Sequence, residues 1–264
     1  MLTAAKNQLR VCFLSIKYNI MREMVNKVTF LTNVAFMVLN DASILVQWFI
    51  LFRLRDDVGG YSLREVLMLW GLVAASFGLS NLLFARVLSL PNLIINGKLD
   101  AFLVQPKNVL LGVLTSETRI SAIGDFLYGV ILVCVCRPGV GGFFLFLLFT
   151  ITGAIAFTAF ALLLGSLSFW FVRMDILQNQ MLMGMINFGS YPDGIFQGAA
   201  RVLLYVLIPV GMALWLPAHV MARFDGKMLL AVLGYVFLLS VAAVAVFYRG
   251  LRRYASGNLM EARL

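Results

Sequence analysis

Four charged side chains lie inside long apolar stretches of the chain, where charge is unusual. They are Asp41, Glu117, Arg119 and Asp125. Charge within a membrane span is expensive, so such residues commonly mark substrate paths or ion and proton sites. They can equally serve as polar contacts between helices or subunits. Residues 117 and 119 point to different faces of a helix, so Glu117 and Arg119 are not expected to pair with each other.

Catalytic and metal chemistry have little support in the sequence. His219 is the only histidine, and no acidic cluster lies beside it in the chain. The three cysteines lack the spacing of a metal site or a disulfide framework. No serine or cysteine nucleophile has a visible base, and the GxxxxGK[ST] loop that cradles nucleotide phosphates is absent from the sequence. The chain is therefore predicted to be no enzyme and to hold no cofactor or metal of its own.

Residues 191–222 form an apolar segment that carries Tyr191 and Trp215 and is interrupted at Pro192, Pro209 and Pro217. Proline lacks an amide donor and clashes with the preceding helical turn. In lipid, such breaks are tolerated only where protein or water satisfies the freed backbone groups. This segment is therefore predicted to be a working part of the molecule.

The composition predicts an all-α polytopic membrane protein. Hydrophobic residues make up 62% and charged residues 12% of the chain, whereas soluble domains average about a quarter charged. A helical crossing needs roughly 20 mainly apolar residues. No connecting stretch is long enough for a separate soluble domain, so residues 1–264 are predicted to form one transmembrane domain. Spans are predicted near 28–53, 63–86, 109–135, 142–170, 176–193 and 227–248.

The net charge of +9 is attributed to membrane orientation and not to nucleic-acid binding. Lys and Arg accumulate in cytoplasmic loops, and here they are more frequent on the side of the N-terminus. Both termini are therefore predicted to be cytoplasmic, which requires an even number of crossings, and six fits the spans.

Residues 1–27 are predicted to form an amphipathic helix at the membrane interface. Apolar residues recur at helical spacing and form a stripe, with a polar stripe roughly opposite. Lys6, Arg10 and Lys17 flank the apolar stripe, where they can meet anionic lipid headgroups. The alternative is a cytoplasmic helix packed on other protein. The apolar residues are Leu9, Phe13, Ile16, Ile20 and Met24, and the polar residues are Gln8, Ser15, Asn19 and Asn26.

The longest loop between clear spans, residues 87–108, is itself rich in apolar residues. Pro91 and Gly97 punctuate it, and Asp100 can open a short helix that ends before Pro106. The loop is predicted to lie along the membrane surface or to receive another protein. On the fourth span, small residues recur at Ala154, Thr158, Ala161 and Gly165, a pattern that lets helix backbones approach closely.

Taken in order, these features resemble the membrane subunits of bacterial type-2 ABC exporters, in a branch of uncharacterised ABC permeases. A basic amphipathic helix precedes the first span. The loop after the second span carries Asn96-Gly-Lys-Leu-Asp100 followed by Gln105-Pro106, similar to that branch's Gly-x-Leu-Asp and proline. The later pairs Tyr191-Pro192, Ile208-Pro209 and Pro217-Ala218 resemble its Tyr-Pro, Ile-Pro and Pro-Ala series.

The resemblance implies six spans per subunit, paired as a dimer of two copies or two paralogues. A cytoplasmic ABC ATPase, which binds ATP and Mg, would couple through residues 87–108. The segment 191–222, with Tyr191, Pro192, Pro209, Trp215 and Pro217, would form an outer re-entrant hairpin. The residues implied in coupling are Pro91, Asn96, Gly97, Lys98, Leu99, Asp100 and Pro106.

The function predicted from this resemblance is the permease of an ATP-driven exporter in the bacterial cytoplasmic (inner) membrane, in contact with lipid and moving an amphiphilic or lipid-like cargo. An ion-gradient-driven carrier or channel that uses Asp41, Glu117 and Asp125 is the main alternative. A membrane scaffold that does not transport is a third.

Overall fold

The computed structural model describes residues 2–255, with the side chains of all of these except residues 2–5 and 9, and its regular structure is helical apart from one isolated bridge between Val58 and Tyr61. The α-helices are α1 (Leu2–Glu23), α2 (Lys27–Leu54), α3 (Leu63–Phe84), α4 (Leu90–Ile95), α5 (Asp100–Leu103), α6 (Val109–Leu114), α7 (Ile123–Val135), α8 (Gly139–Ser166), α9 (Met174–Gly189), α10 (Gly198–Val206), α11 (Leu216–Ala222) and α12 (Gly226–Leu251). A π-helix, Gly211–Trp215, runs directly into α11.

Four helical stretches within residues 2–255 are long and apolar enough to cross a membrane, namely Lys27–Leu54, Leu63–Ile95, Gly139–Phe169 and Gly226–Leu251. A fifth crossing or a re-entrant loop is formed by α10 and the stretch Gly211–Ala222, which are bent by 77° relative to each other. These helices confirm the predicted all-α polytopic membrane fold. The count of six spans stays a prediction.

The third predicted span, 109–135, is wrong as a single continuous helix. The chain is non-helical from Glu117 to Arg119 and resumes through a short 3-10 turn before α7. Ser and Thr side chains near the break bond to local carbonyls and compete with the helix: Thr115 Oγ1 donates to the Leu111 carbonyl and Ser116 Oγ to the Val113 carbonyl. Glu117 and Arg119 therefore lie in a break and not on a continuous span.

The fifth predicted span, 176–193, is shorter than expected. Helix α9 ends at Gly189, just before Ser190 and Tyr191-Pro192. Its 16 residues extend about 24 Å at the usual helical rise, less than the roughly 30 Å of a bilayer core. The polar and proline-containing sequence that follows diverts the chain into the 191–222 segment.

The polar stripe of helix α1 lies against the break between α6 and α7. Ser15 Oγ and Asn19 Nδ2 both donate to the Thr115 carbonyl, at 2.7 and 3.3 Å. The Glu23 carboxylate accepts from the Ile120 amide at 2.6 Å. On the same helix Phe13 is exposed. The polar side of α1 therefore satisfies backbone groups that the break leaves unpaired, and apolar side chains face outward.

The two ends of the helical array are distinct. At one, called the α1 end, α1 meets the segment between α3 and α7, and Arg86 pairs with Glu117 at 2.7 Å. At the other, called the hairpin end, the loop before α3 contacts the segment 191–222 through Gly59 and Gly194. A capping box at Ser62 and Glu65 begins α3 there.

Helices α3 and α8 form the centre, and α3 is buried on nearly every side. The predicted small-residue stripe of α8 is confirmed as a packing face: Ala154, Thr158 and Ala161 are buried, and Thr158 Oγ1 lies 2.8 Å from Ser80 Oγ of α3. Against α7, the approach of α3 depends on Gly129, because an added Cβ there would meet the Gly71 carbonyl oxygen and Ala75.

Replacing Gly129 with valine should prevent α3 and α7 from packing and reduce the yield of monodisperse protein in detergent. The control is Gly234→Val in α12, where no atom lies within 4 Å of the added Cβ. The comparison is made by size-exclusion chromatography and thermal unfolding. Equal behaviour of the two variants would contradict the close packing described here.

Candidate functional site

A half-enclosed cavity of about 640 Å³ lies between α2, α3, α7 and α9. Trp48, Trp70 and Tyr191 give its wall aromatic character, while Gln47 and Asn187 contribute side-chain amides. Ligand sites in proteins are typically concave, mainly apolar, and equipped with a few placed polar groups. The cavity has that composition.

The structure brings two of the four sequence-predicted charges together on this wall. Asp41 of α2 and Asp125 of α7 both line the cavity and are only 7% and 8% exposed. The Tyr128 hydroxyl, which accepts from Trp70 Nε1, donates to the Asp41 backbone carbonyl at 3.2 Å. That bond uses the backbone and not the Asp41 carboxylate, which interacts with the Asn40 side chain but whose Oδ2 atom is buried without a hydrogen-bond partner.

The other two charges lie away from the cavity. Glu117 pairs with Arg86 at 2.7 Å, and both side chains are about 30% exposed. Arg119 is exposed, and its backbone amide donates to the Asn81 carbonyl at 3.2 Å. The sequence predicted that all four charges lie within spans because each occurs in a window of high mean hydropathy.

The cavity is closed at the hairpin end by Tyr191. Its hydroxyl accepts from Gln47 Nε2 at 3.3 Å, and its ring lies 5.4 Å from that of Trp48. Trp215 Nε1 donates to the Tyr191 carbonyl at 2.9 Å. These contacts join α2 to the segment 191–222 across the end of the cavity.

The three prolines of this segment have different effects. Pro192 precedes a short 3-10 turn, and Pro209 lies in the bend between α10 and the π-helix. The sequence predicted a break at Pro217 as well, but the helix continues there, because Pro217 lies in the first turn of α11 directly after the π-helix. The wider π turn alters the hydrogen-bond ladder just where proline lacks a donor.

Asp193 joins the segment 191–222 to the loop before α3. Its Oδ1 accepts from the Tyr61 hydroxyl at 2.9 Å and lies 3.2 Å from His219 Nε2, and its Oδ2 accepts from Arg201 at 2.7 Å. The fold therefore gives His219 one acidic neighbour from 26 positions away, which the local sequence does not reveal. The ion pair between Asp193 and Arg201 also accounts for the presence of these two charges in an otherwise apolar segment.

The electrostatics of this cluster favour an ionised Asp193. Burial alone would raise the pKa of its carboxyl, but hydrogen bonds from His219 and Tyr61 and the charge of Arg201 outweigh burial and lower it. Burial and the neighbouring carboxylate raise the pKa of Tyr61 well above its ordinary value, so the phenol stays protonated and donates. The cluster is a structural tie, since Tyr61 is held as a donor and not as a nucleophile.

The residues implied in ATPase coupling fall into two groups. Pro91 and Leu99 are buried and anchor the segment, whereas Asn96, Lys98 and Pro106 are exposed. Gly97 has a φ of 67°, which favours glycine. Asp100 is half-buried and interacts with Tyr254. Sequence reasoning missed Val104, which is 82% exposed beside Leu103 at 42%.

Comparison with known protein families identifies a relationship that covers most of the chain. A family described as ABC-2 family transporter protein matches residues 38–257, which include the segment 191–222, the loop 87–108 and most of the cavity lining. Neither the curated proteins nor the solved structures contain a significant match.

The Asp193→Asn variant should destabilise the fold by about 1–3 kcal/mol at neutral pH, because the buried Tyr61 hydroxyl and the partly exposed Arg201 and His219 lose a charged acceptor. The lowered pKa of Asp193 means that its ionised form stabilises the fold above the ordinary carboxyl pKa of about 4, and that this contribution is lost as the pH falls through the lowered pKa. Thermal unfolding between pH 3 and 8 measures both effects.

The matched control is Asp225→Asn, because Asp225 caps α12 at the same end and asparagine caps about as well. Asp193 is surrounded by Tyr61, His219, Arg201 and Tyr205. Only the Asp193→Asn variant should therefore lose part of the dependence of stability on acid pH. Identical pH profiles for the wild type and Asp193→Asn would contradict the assignment.

Proposed function

The chain belongs to the ABC-2 family of transporters, and we propose that it is the transmembrane subunit of an ATP-driven exporter. With a second permease, either another copy or a paralogue, it forms the path for an amphiphilic or lipid-like cargo such as a drug, a lipid or a peptide. The observation that carries this proposal is the cavity, whose aromatic and amide-bearing wall suits a ligand with both apolar and polar parts.

The α1 end is assigned to the cytoplasm of a bacterium and the hairpin end to the outer side of its cytoplasmic membrane. Lys and Arg concentrate at the α1 end, in agreement with the positive-inside tendency. In this orientation α1 lies at the inner interface, with its polar side on the protein and apolar side chains such as Phe13 toward lipid. The cavity is then closed toward the outside by Tyr191.

The second permease subunit is proposed to pack beside α2. Only 11% of the apolar window of α2 is buried within the chain, and Phe36, Leu39 and Phe49 are exposed along it. Helix α2 also forms one wall of the half-enclosed cavity. A neighbour at this position would complete the wall, and lipid would cover the remaining apolar surface.

The partner ATPase, which binds ATP and Mg²⁺, is proposed to dock on the exposed face formed by Lys98, Leu103, Val104 and Lys107. A buried side chain connects this region to the cavity wall. Gln178 of α9 is fully buried and its Nε2 donates to the Val87 carbonyl at 3.0 Å and to the Ala161 carbonyl of α8 at 2.8 Å. Motion of the loop therefore reaches α9, which lines the cavity.

Helix α1 provides a second route from the cytoplasmic side. Its Ser15, Asn19 and Glu23 hold the break before α7, and α7 carries Asp125 on the cavity wall. A displacement of α1 or of the adjacent loop would move that carboxylate relative to Asp41. The two routes end on two helices, α7 and α9, that line the same cavity.

Val104→Glu should weaken binding of the ATPase by about 10-fold or more, as expected for an exposed apolar anchor at an interface, while leaving the fold intact. The control is Val140→Glu, which is comparably exposed, at 78%, but lies at the hairpin end. Both variants are compared by co-purification with the partner ATPase and by ATP hydrolysis. Equal loss in the two variants would exclude a specific docking role for Val104.

Reconstitution into lipid vesicles tests the exporter function itself. The chain with its permease and ATPase partners should move an amphiphilic fluorescent probe only when ATP is supplied on the ATPase side. Movement of the same probe by this chain alone under an ion gradient would overturn the proposal and favour the carrier. The carrier hypothesis requires Asp41, Glu117 and Asp125, but Glu117 does not line the cavity and instead pairs with Arg86.

A further inference from the structure

The cavity holds two acidic side chains for which its lining offers no basic partner. Asp41 and Asp125 both face it, and among the described residues that line it none is basic. Arg119 precedes α7 and acts on Asp125 through space, but it is exposed and lies outside the lining. Buried charge in a membrane protein is normally paired. These carboxylates therefore lack a protein counter-charge within the cavity.

The Asp41 carboxylate has room for a partner. The residue is 7% exposed, its Oδ2 atom is buried without a hydrogen bond, and it lines a space of about 640 Å³. A buried polar atom without a partner is uncommon and calls for an explanation. A positively charged group on a ligand within the cavity would supply both the missing contact and the missing charge.

The rest of the wall favours an organic cation over a metal ion. Trp48, Trp70 and Tyr191 present aromatic rings, which attract cations at their faces, and apolar side chains such as Phe36 and Phe77 complete the lining. Mg²⁺ and Ca²⁺ require a tight shell of several oxygen ligands. A wide cavity with largely apolar and aromatic walls suits a bulky ligand that carries its charge on an apolar body.

We propose that this cavity binds cargo bearing an organic cationic group, such as an amine or a quaternary ammonium, attached to an apolar body. The cation lies between Asp41 and Asp125, and the apolar body contacts the aromatic wall. This assignment rests on the proposed role of the cavity as the cargo site and narrows the amphiphilic cargo to its cationic members.

The test measures binding of probes of similar shape and different charge to the purified chain in nanodiscs of zwitterionic lipid. Tetraphenylphosphonium is the cation, triphenylphosphine oxide the neutral probe and tetraphenylborate the anion. The wild type should bind the cation most tightly. Asp41→Asn and Asp125→Asn should each weaken cation binding by about 10- to 100-fold, the range expected for a lost charge-assisted contact, and should leave binding of the neutral probe nearly unchanged.

The ratio of cation to neutral binding is the readout, because a loss of folded protein lowers both. Asp41→Glu, which retains the charge, should keep most of the ratio. Asp175→Asn is the control, since it removes a carboxylate from the first turn of α9 without altering the cavity lining. A wild-type ratio near one, or a ratio that neither cavity variant changes, would overturn the inference and show that a proton or the protein itself satisfies the two carboxylates.

The binding experiment needs no ATPase, so it can fail separately from the exporter proposal. Absence of charge selectivity, combined with ATP-driven transport of a neutral amphiphile, would remove the cationic cargo and leave the exporter. Charge-selective binding without any ATP-driven movement of tetraphenylphosphonium would retain the site and remove the exporter function.

Discussion

The structure is governed by the requirement that polar groups within a membrane find their partners inside the protein, because lipid offers none. At the α6–α7 break and after α9, another element supplies hydrogen bonds that the interrupted helix does not. Glu23 accepts from the Ile120 amide at the α6–α7 break, and Gln178 binds carbonyls of two separate segments. Interruptions therefore serve as the points at which one element is fastened to another.

This requirement also explains why the interruptions coincide with the working parts. A continuous helix satisfies its own backbone and has no need to bond to a neighbour. The α6–α7 break, in contrast, obtains its partners from α1 and α3, and the residues after α9 obtain theirs from α2 and the π-helix. Displacing any of these partners leaves a polar group without a bond, so the elements on either side must move together or exchange partners.

The sequence revealed those features that depend on composition and short spacing. Asp41 and Asp125 stood out because charge is rare in apolar runs, and the small-residue stripe of α8 was visible as a helical repeat. The break at 115–119 was missed because the mean hydropathy of 109–135 concealed a local run of Thr, Ser, Glu, Thr and Arg, a signal that a shorter window would have shown. The contact of His219 with Asp193 depends on how the segment 191–222 folds back, which no spacing encodes. Pro217 was assigned a break that the preceding π-helix avoids.

Tyr191 and Asp193, at the hairpin end, are expected to move together. Tyr191, which closes the cavity, and Asp193, which holds the loop before α3, are separated only by Pro192, whose ring restricts the backbone between them. Any outward movement of the segment that releases the Asp193 contacts must also withdraw the Tyr191 ring from Trp48 and its hydroxyl from Gln47. Since Asp193 is bonded to groups from three separate elements, the release is cooperative. Opening of the cavity at this end is therefore coupled to the loss of a charged network and not to the rotation of a single side chain.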